Sequence, residues 1–251
     1  MAARNIRFLI EYKGTNYSGW QIQDGPKTVQ QEITDAIAKV TGCTVEVIGA
    51  GRTDAGVHAL GQVANFHIDH RLEPSRYRDA VNFYLPADIR VKESTVAEPE
   101  FHARFSAVWR RYRYLISEEM SAIYRELRWE NSNRLDFELL QKAAGFVVGV
   151  HDFSPFCVIG SRKEENSCRI EFSRWYKTGP LMIYEIRGNR FLHSMVRSLV
   201  AAMVNLATAQ QDNNMQNLTL DRFADIIGSR TEERITFMAP PHGLYLVEVG
   251  Y

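Results

Sequence analysis

Hydrophobic and polar positions along the chain switch repeatedly between a two-residue and a 3.6-residue period. Residues 6–12 are apolar and β-prone, and a turn-rich stretch, 13–20, follows. Thr28 with Gln31 three positions on forms a capping-box start. Val29, Ile33, Ala36, Ile37 and Val40 then give one apolar helical face, which Gly42 stops. The pattern predicts strands at 44–48, 62–68 and 89–96. It places a loop at 49–56 and a helix that starts at Ser75, runs to Tyr84 and ends before Pro86. The second half repeats this order. Strands are expected at 105–117, 169–177, 182–187 and 244–249, with Gly179-Pro180 turning between the middle two. Helices are expected at 136–148, 191–208 and 220–227. Polar stretches at 160–167 and 210–217 read as a mobile loop and a linker.

Two successive β-α-β-β-α-β orders predict the α+β class. They suggest two ferredoxin-like halves, residues 1–103 and 104–251, forming a continuous, mainly antiparallel sheet with helices on one face. A cleft between two such halves is a natural ligand site.

Composition narrows the class. A charged fraction of 24% and a hydrophobic fraction of 45% suit a folded globular chain. The three cysteines, Cys43, Cys157 and Cys168, form no CxxC pair, so neither a disulfide framework nor a zinc ribbon is suggested, and a reducing cytosol fits. The first residues lack the apolar stretch of a signal peptide. The longest apolar region, 191–206, is interrupted by His193, Arg197 and Asn205 and is too short and polar to span a bilayer. Net charge is zero, yet the basic residues are 23 Arg against 7 Lys, and 16 of those Arg follow residue 103. Arginine's planar fork suits phosphate and base recognition, so any basic surface is local. Genome composition accounts for the same count equally well.

Three segments could carry chemistry. Gly49-Ala-Gly-Arg-Thr-Asp-Ala-Gly-Val-His-Ala59 lies between two expected strands. Its glycines allow tight turns and close approach to a ligand. Arg52 is placed to pair with Asp54 and keep it ionised, and Thr53 to hold the loop. An ordinary Asp-containing turn with a surface ion pair has the same composition. A Rossmann loop is excluded, because Asp54 stands at the third glycine position and 57–66 does not read as a helix; no Gly-Lys-Ser/Thr completes a P-loop. In Arg110-Arg-Tyr-Arg-Tyr114, alternation puts Arg110, Tyr112 and Tyr114 on one face and Arg111 and Arg113 on the other. Such a face can stack bases and hold phosphates, or be one side of a half-buried strand. In Arg187-Gly-Asn-Arg-Phe-Leu-His-Ser-Met-Val-Arg197, a helix expected from Phe191 puts His193 and Arg197 on one face, with Arg190 and free N–H groups at its start suited to an anion. The seven histidines form no local ligand cluster, so no metal site is expected.

These residues resemble the tRNA pseudouridine synthases of the TruA type. Gly51-Arg-Thr-Asp-Ala-Gly-Val-His58 is similar to the family's signature. Glu11-Tyr-Lys-Gly with Tyr17-Ser-Gly-Trp-Gln21 resembles its opening strand and loop. Phe101-His-Ala-Arg-Phe-Ser106, the Arg110–Tyr114 strand, Asp152-Phe-Ser-Pro-Phe156, Phe191–Arg197 and Gly243-Leu-Tyr-Leu246 follow in family order. Residues 118–134 and 161–167 match no such pattern.

The resemblance implies isomerisation of uridine to pseudouridine at positions 38, 39 and 40 of the tRNA anticodon arm. It implies a cytoplasmic homodimer that uses no cofactor, no metal and no membrane. Asp54 is the expected catalytic carboxylate, as nucleophile or as base. Arg52, Tyr112 and Arg197 are expected beside it, and Tyr112 is expected to stack on the uracil. Arg110, Arg190, His193, Leu244 and His58 are the further expected substrate contacts. The rival readings are a non-catalytic tRNA-binding protein, a small-molecule nucleotide enzyme, and a synthase with another RNA target.

Overall fold

In the computed structural model, strand β1 (Arg4–Tyr12) alternates as its sequence demands: Ile6, Phe8, Ile10 and Tyr12 are buried on one face. The structure describes residues 3–158, 160, 164–208, 218–228 and 233–251. The expected linker 210–217 and residues 161–163 of the expected loop lie outside them.

After β1 come helix α1 (Val29–Thr41), a two-residue strand β2 (Ile48–Gly49), β3 (His58–Ile68), α2 (Tyr77–Tyr84) and β4 (Ile89–Ala97). Strand β1 pairs antiparallel with both β3 and β4, with Ile6 opposite Phe66 and Val96. Thr28 caps α1 by accepting a hydrogen bond from the Gln31 N–H, and Gly42 ends it at φ 72°. Ile33 and Ile37 of α1 and Tyr77 and Val81 of α2 are fully buried, and α2 packs on β4. Each such side chain stabilises the unit by about 1.5–3 kcal/mol relative to exposure. On the other face of β1 and β3, Asn5 and Asn65 are buried and bonded to each other at 2.9 Å. They also hold the segment after β4: Asn5 donates to the Glu98 and Phe101 carbonyls, and Asn65 accepts from the Ala103 N–H. The chain's last residues return to this unit, where Tyr245 and Leu246 pair in parallel with His58 and Ala59. The unit therefore comprises Met1–Val108 with Tyr245–Tyr251.

The second unit is Trp109–Leu244. It contains β5 (Trp109–Ser117), β6 (Trp129–Glu130), α3 (Phe137–Phe146), β7 (Gly149–Asp152), β8 (Ser167–Thr178), β9 (Leu181–Gly188), α4 (Met195–Ala207) and α5 (Leu220–Ile227). Strands β5, β9, β8 and β7 pair antiparallel in that order. Helix α3 packs on α4, α5 and β8, and the Trp175 indole of β8 reaches Met203 Sδ of α4 at 3.4 Å. Asp136 and Thr219 cap α3 and α5 through side-chain oxygens. The face of the sheet away from Trp175 carries Arg111, Arg113, Arg174 and Glu185. The terminal strand, β10, is Leu244–Gly250.

The class is α+β with mainly antiparallel strands, as expected from the sequence. Several elements differ in extent. Residues 44–47 form no strand, and only Ile48–Gly49 pair with β3. Ser75 lies in a 3-10 turn, Pro74–Arg76, and caps nothing, because Pro74 starts that turn instead. Strand β5 begins at Trp109 rather than 105, since residues 103–106 form a turn closed by the Ser106 N–H on the His102 carbonyl. Helix α4 begins at Met195 rather than 191, because Ser194 adopts φ 58°, which breaks helical geometry before it.

Candidate active site

The loop from Ala50 to Val57 is held on every side by its own unit. Ala50 N–H donates to the Val63 carbonyl at 2.8 Å, and Gln62 Nε2 donates to the Gly51 carbonyl at 2.8 Å. The Thr53 carbonyl accepts from the Trp20 N–H, and the Tyr17 carbonyl accepts from the Gly56 N–H. Inside the loop, the Val57 N–H closes a turn on the Asp54 carbonyl, and Gly56 sits at φ 79°. Thr53 Oγ1 lies 2.8 Å from the Tyr12 hydroxyl, both residues being buried. The result is a fixed backbone with Asp54 half-buried at its centre.

The preceding segment, Gly14–Trp20, forms the other wall of this loop. Gly14 runs so close that a Cβ there would sit 2.0 Å from the Val57 carbonyl oxygen. A Cβ on Gly19, at φ 86°, would lie 2.5 Å from the Thr53 oxygen. Trp20 is buried beneath Gly49, where a Cβ would meet the indole at 2.5 Å. Tyr17 is fixed by its hydroxyl on Asp88 at 2.6 Å, and burial, followed by that hydrogen bond to a carboxylate, raises its pKa far above the usual phenol value. None of these supporting residues is among the expected site residues. Their signal was the pair of glycines in a turn-rich loop directly after a strand.

Two further expected site residues, Arg52 and His58, lie in this unit. Arg52 is exposed. His58 is 1% exposed; its Nδ1 accepts the Gly14 N–H at 2.9 Å and its ring packs 4.8 Å from that of Tyr245. Its position in β3 makes it an internal brace between the Gly14 loop and the terminal strand.

In the second unit, Tyr112 is buried in β5 and its ring stands edge-on to Phe191, with centroids 5.1 Å apart. Arg110 donates to the Asn189 carbonyl at 3.0 Å. Tyr114 is fully buried and donates to the Pro240 carbonyl at 2.7 Å; burial raises its pKa well above the phenol range, partly offset by the nearby Arg197 charge. Arg197 Nε donates to the Ala239 carbonyl at 2.9 Å, and the Ala239 N–H donates back to the Arg197 carbonyl at 3.1 Å. Strand β5 and helix α4 thus grip Ala239 and Pro240, ahead of the turn Pro241–Gly243 that leads to the buried Leu244. The late start of α4 leaves His193 before the helix, so His193 and Arg197 do not share a helical face. His193 is exposed, and Arg190 is half-buried with a 3.3 Å hydrogen bond to the Glu165 carbonyl rather than standing at the helix start.

On the opposite face of β5, Glu185 is 2% exposed and accepts from Arg113 at 2.8 Å and Arg174 at 2.9 Å. Burial raises its pKa, but the hydrogen bonds from Arg174 and Arg113 outweigh this and leave it lowered. Among the described residues no three His, Cys, Asp or Glu side chains are grouped to hold a metal ion, and no helix is long and apolar enough to cross a membrane.

A family model described as tRNA pseudouridine synthase matches residues 9–106 and 143–251, which include Asp54 and Arg197. The tRNA pseudouridine synthase A of Acetivibrio thermocellus is 43% identical over 250 residues, covering 99% of this chain and 100% of that one. The proteins of that name from Thermoanaerobacter pseudethanolicus and Chlorobium luteolum are 38% and 40% identical, each over 99% of this chain and over 100% and 96% of theirs. The class is therefore that of RNA-modifying isomerases. Within it, the chain belongs to the tRNA pseudouridine synthase family.

Proposed function

We propose that this protein isomerises uridine to pseudouridine at positions 38, 39 and 40 of the tRNA anticodon arm, with Asp54 as its catalytic carboxylate. The observation that carries the reading is the half-buried Asp54 at the centre of a loop pinned from both flanks, within the part of the chain that the family model matches. Preorganisation of this kind fixes a reacting group without reorganisation during the reaction.

In the reaction the uridine N1–C1′ bond breaks, the uracil turns, and C5 bonds to C1′. The proton on C5 leaves to solvent and N1 gains one, so atoms balance. Asp54 acts as nucleophile, or as base in an elimination route. The target base first leaves its stack at a cost of roughly a few kcal/mol. Arg52, exposed on the loop, enters the vacated space. Tyr112, oriented by Phe191, stacks on the uracil, and Arg197 supplies balancing positive charge. Arg110, Arg190 and the exposed His193 contact the RNA, and Leu244 supplies an apolar lining. The protein acts in the cytoplasm as a homodimer.

The test is to incubate purified protein with unmodified tRNA transcript and map pseudouridine at single-nucleotide resolution. Pseudouridine at 38, 39 and 40 is expected; its absence from the anticodon arm refutes the reading.

A further inference from the structure

Asp54 sits on a short stretch of backbone fastened at both ends to one neighbouring segment. The Trp20 N–H donates to the Thr53 carbonyl at 3.1 Å, and the Gly56 N–H donates to the Tyr17 carbonyl at 3.3 Å. Asp54 and Ala55 lie between these two rungs, so the seats of Tyr17 and Trp20 set the seat of the Asp54 backbone. Trp20 is anchored by burial, at 1% exposure, and by its carbonyl, which accepts the Gln30 N–H at 3.0 Å. Gly14, at the head of the segment, is anchored by its N–H on His58 Nδ1. The Tyr17 end hangs on Asp88.

Asp88 is half-buried and directly precedes β4. Its carbonyl accepts the Lys13 N–H at 2.9 Å, just beyond the last β1–β4 pair, Tyr12 with Ile89. Its Oδ1 accepts the Tyr17 hydroxyl at 2.6 Å, the length of a charge-assisted hydrogen bond. Its Oδ2 accepts from Asn16 Nδ2 at a longer 3.4 Å. The same residue therefore fixes the segment at its entry and at the tyrosine that carries the Gly56 rung. Tyr17 is 3% exposed. Without the carboxylate its hydroxyl would be buried and lack its acceptor, a cost that is relieved by moving the segment toward water. Such a movement pulls on Gly56 and, through it, on the turn that the Val57 N–H closes on the Asp54 carbonyl.

We propose that Asp88 is a positioning residue for the reaction, acting through the Tyr17 hydroxyl and the Gly56 rung to seat Asp54. It acts without touching the RNA. A displacement of a reacting group by about 1 Å costs up to about a hundredfold in rate, so a tie one residue removed from the chemistry has leverage on it. The role rests on the reading of Asp54 as the catalytic carboxylate and adds a residue that holds it in place.

The test is steady-state kinetics on tRNA transcript with the full chain and with Asp88→Ala, Asp88→Asn, Tyr17→Phe and the double variant Asp88→Ala/Tyr17→Phe. Thermal melting and amide hydrogen exchange over residues 50–57 are followed in the same proteins. Asp88→Ala and Tyr17→Phe are each expected to lower kcat about tenfold, with KM and tRNA affinity within about twofold of wild type. The double variant should lose no more than either single one, because both break one link. Asp88→Asn keeps a side-chain oxygen for the phenol and should recover most of kcat. Exchange over 50–57 should quicken in Asp88→Ala and stay near wild type in Asp88→Asn. Should Asp88→Ala fail to fold, Tyr17→Phe breaks the same bond and carries the same expectation. Lower melting with wild-type kcat and exchange marks a stabilising pair only and overturns the inference. Raised KM or lost tRNA affinity at unchanged kcat makes Asp88 an RNA contact and overturns it too. A wild-type chain that forms no pseudouridine refutes the reading of the function and this role with it, whereas an active wild type with an unaffected Asp88→Ala refutes this role alone.

Discussion

The Tyr12 hydroxyl, at the end of the first strand, lies 2.8 Å from Thr53 Oγ1, the residue before the proposed catalytic carboxylate. Both groups are buried, so this hydrogen bond adds a side-chain tie between the loop and the sheet core beside those from Val63 and Gln62. Tyr12→Phe keeps the ring and removes the tie. We expect a loss of about 1 kcal/mol in stability. A fall in kcat with KM little changed should accompany it, because Asp54 loses alignment rather than substrate affinity. Thermal unfolding and steady-state kinetics check the pair; an unchanged kcat removes the positioning role.

Gly19 and Gly25 share positive φ values, 86° and 93°, but differ in surroundings. A Cβ on Gly19 meets the Thr53 oxygen at 2.5 Å, whereas Gly25 has open space. Gly25→Ala should cost only the left-handed backbone penalty of about 1–2 kcal/mol. Gly19→Ala should cost more and lower activity further, since it displaces the backbone at Thr53. Equal effects of the two substitutions on activity contradict the close packing of this loop on its neighbour.

Glu185 is the buried anion of an arginine network. Its carboxyl titrates lower in the folded chain than in the unfolded one, so its contribution is complete above the unfolded value near 4.5 and disappears as pH falls through the lowered folded value. Glu185→Gln should cost about 1–2 kcal/mol at neutral pH, modest because Arg113 and Arg174 retain access to water. It should also flatten the acid limb of the stability curve. Urea unfolding of both proteins between pH 7 and 3 measures this; parallel curves contradict it.

Burial, only partly offset by Arg190, pushes the Cys168 thiol up to about 11, and the residue is 1% exposed. Cys43 is half-buried near the surface. At pH 8 an alkylating reagent should modify Cys43 well before Cys168, because only about a thousandth of the Cys168 thiol is ionised there. Peptide mapping after timed alkylation reads the order, and denaturant should abolish it. Early labelling of Cys168 in the native protein contradicts its placement in the core.

Local chemistry made most of the fold legible. The Thr28 cap, the Gly42 stop and the apolar face of α1 all lie within a few residues of one another, and helix α5 occupies the span its periodicity predicts. The place of the Asp54 loop, directly before a strand, was legible from its glycines, while the role expected of Asp54 came only from the family resemblance. The misplaced elements have non-local or conformational causes. Residues 44–47 are β-prone, yet the strand they resemble is shortened because only Ile48 and Gly49 reach β3. The start of α4 depends on a positive φ at Ser194, a residue type that gives no warning of it. The supports of the loop were also hidden: that Gly14 and Gly19 press on Val57 and Thr53 is a contact across some forty residues of sequence, which periodicity does not encode.

The central claim is that Asp54 performs the chemistry. The most direct measurement is tritium release from tRNA carrying tritium at uridine C5, with wild-type protein and Asp54→Asn compared alongside tRNA binding. The near-isosteric amide should abolish release while the RNA still binds. Release by Asp54→Asn at the wild-type rate would contradict the account.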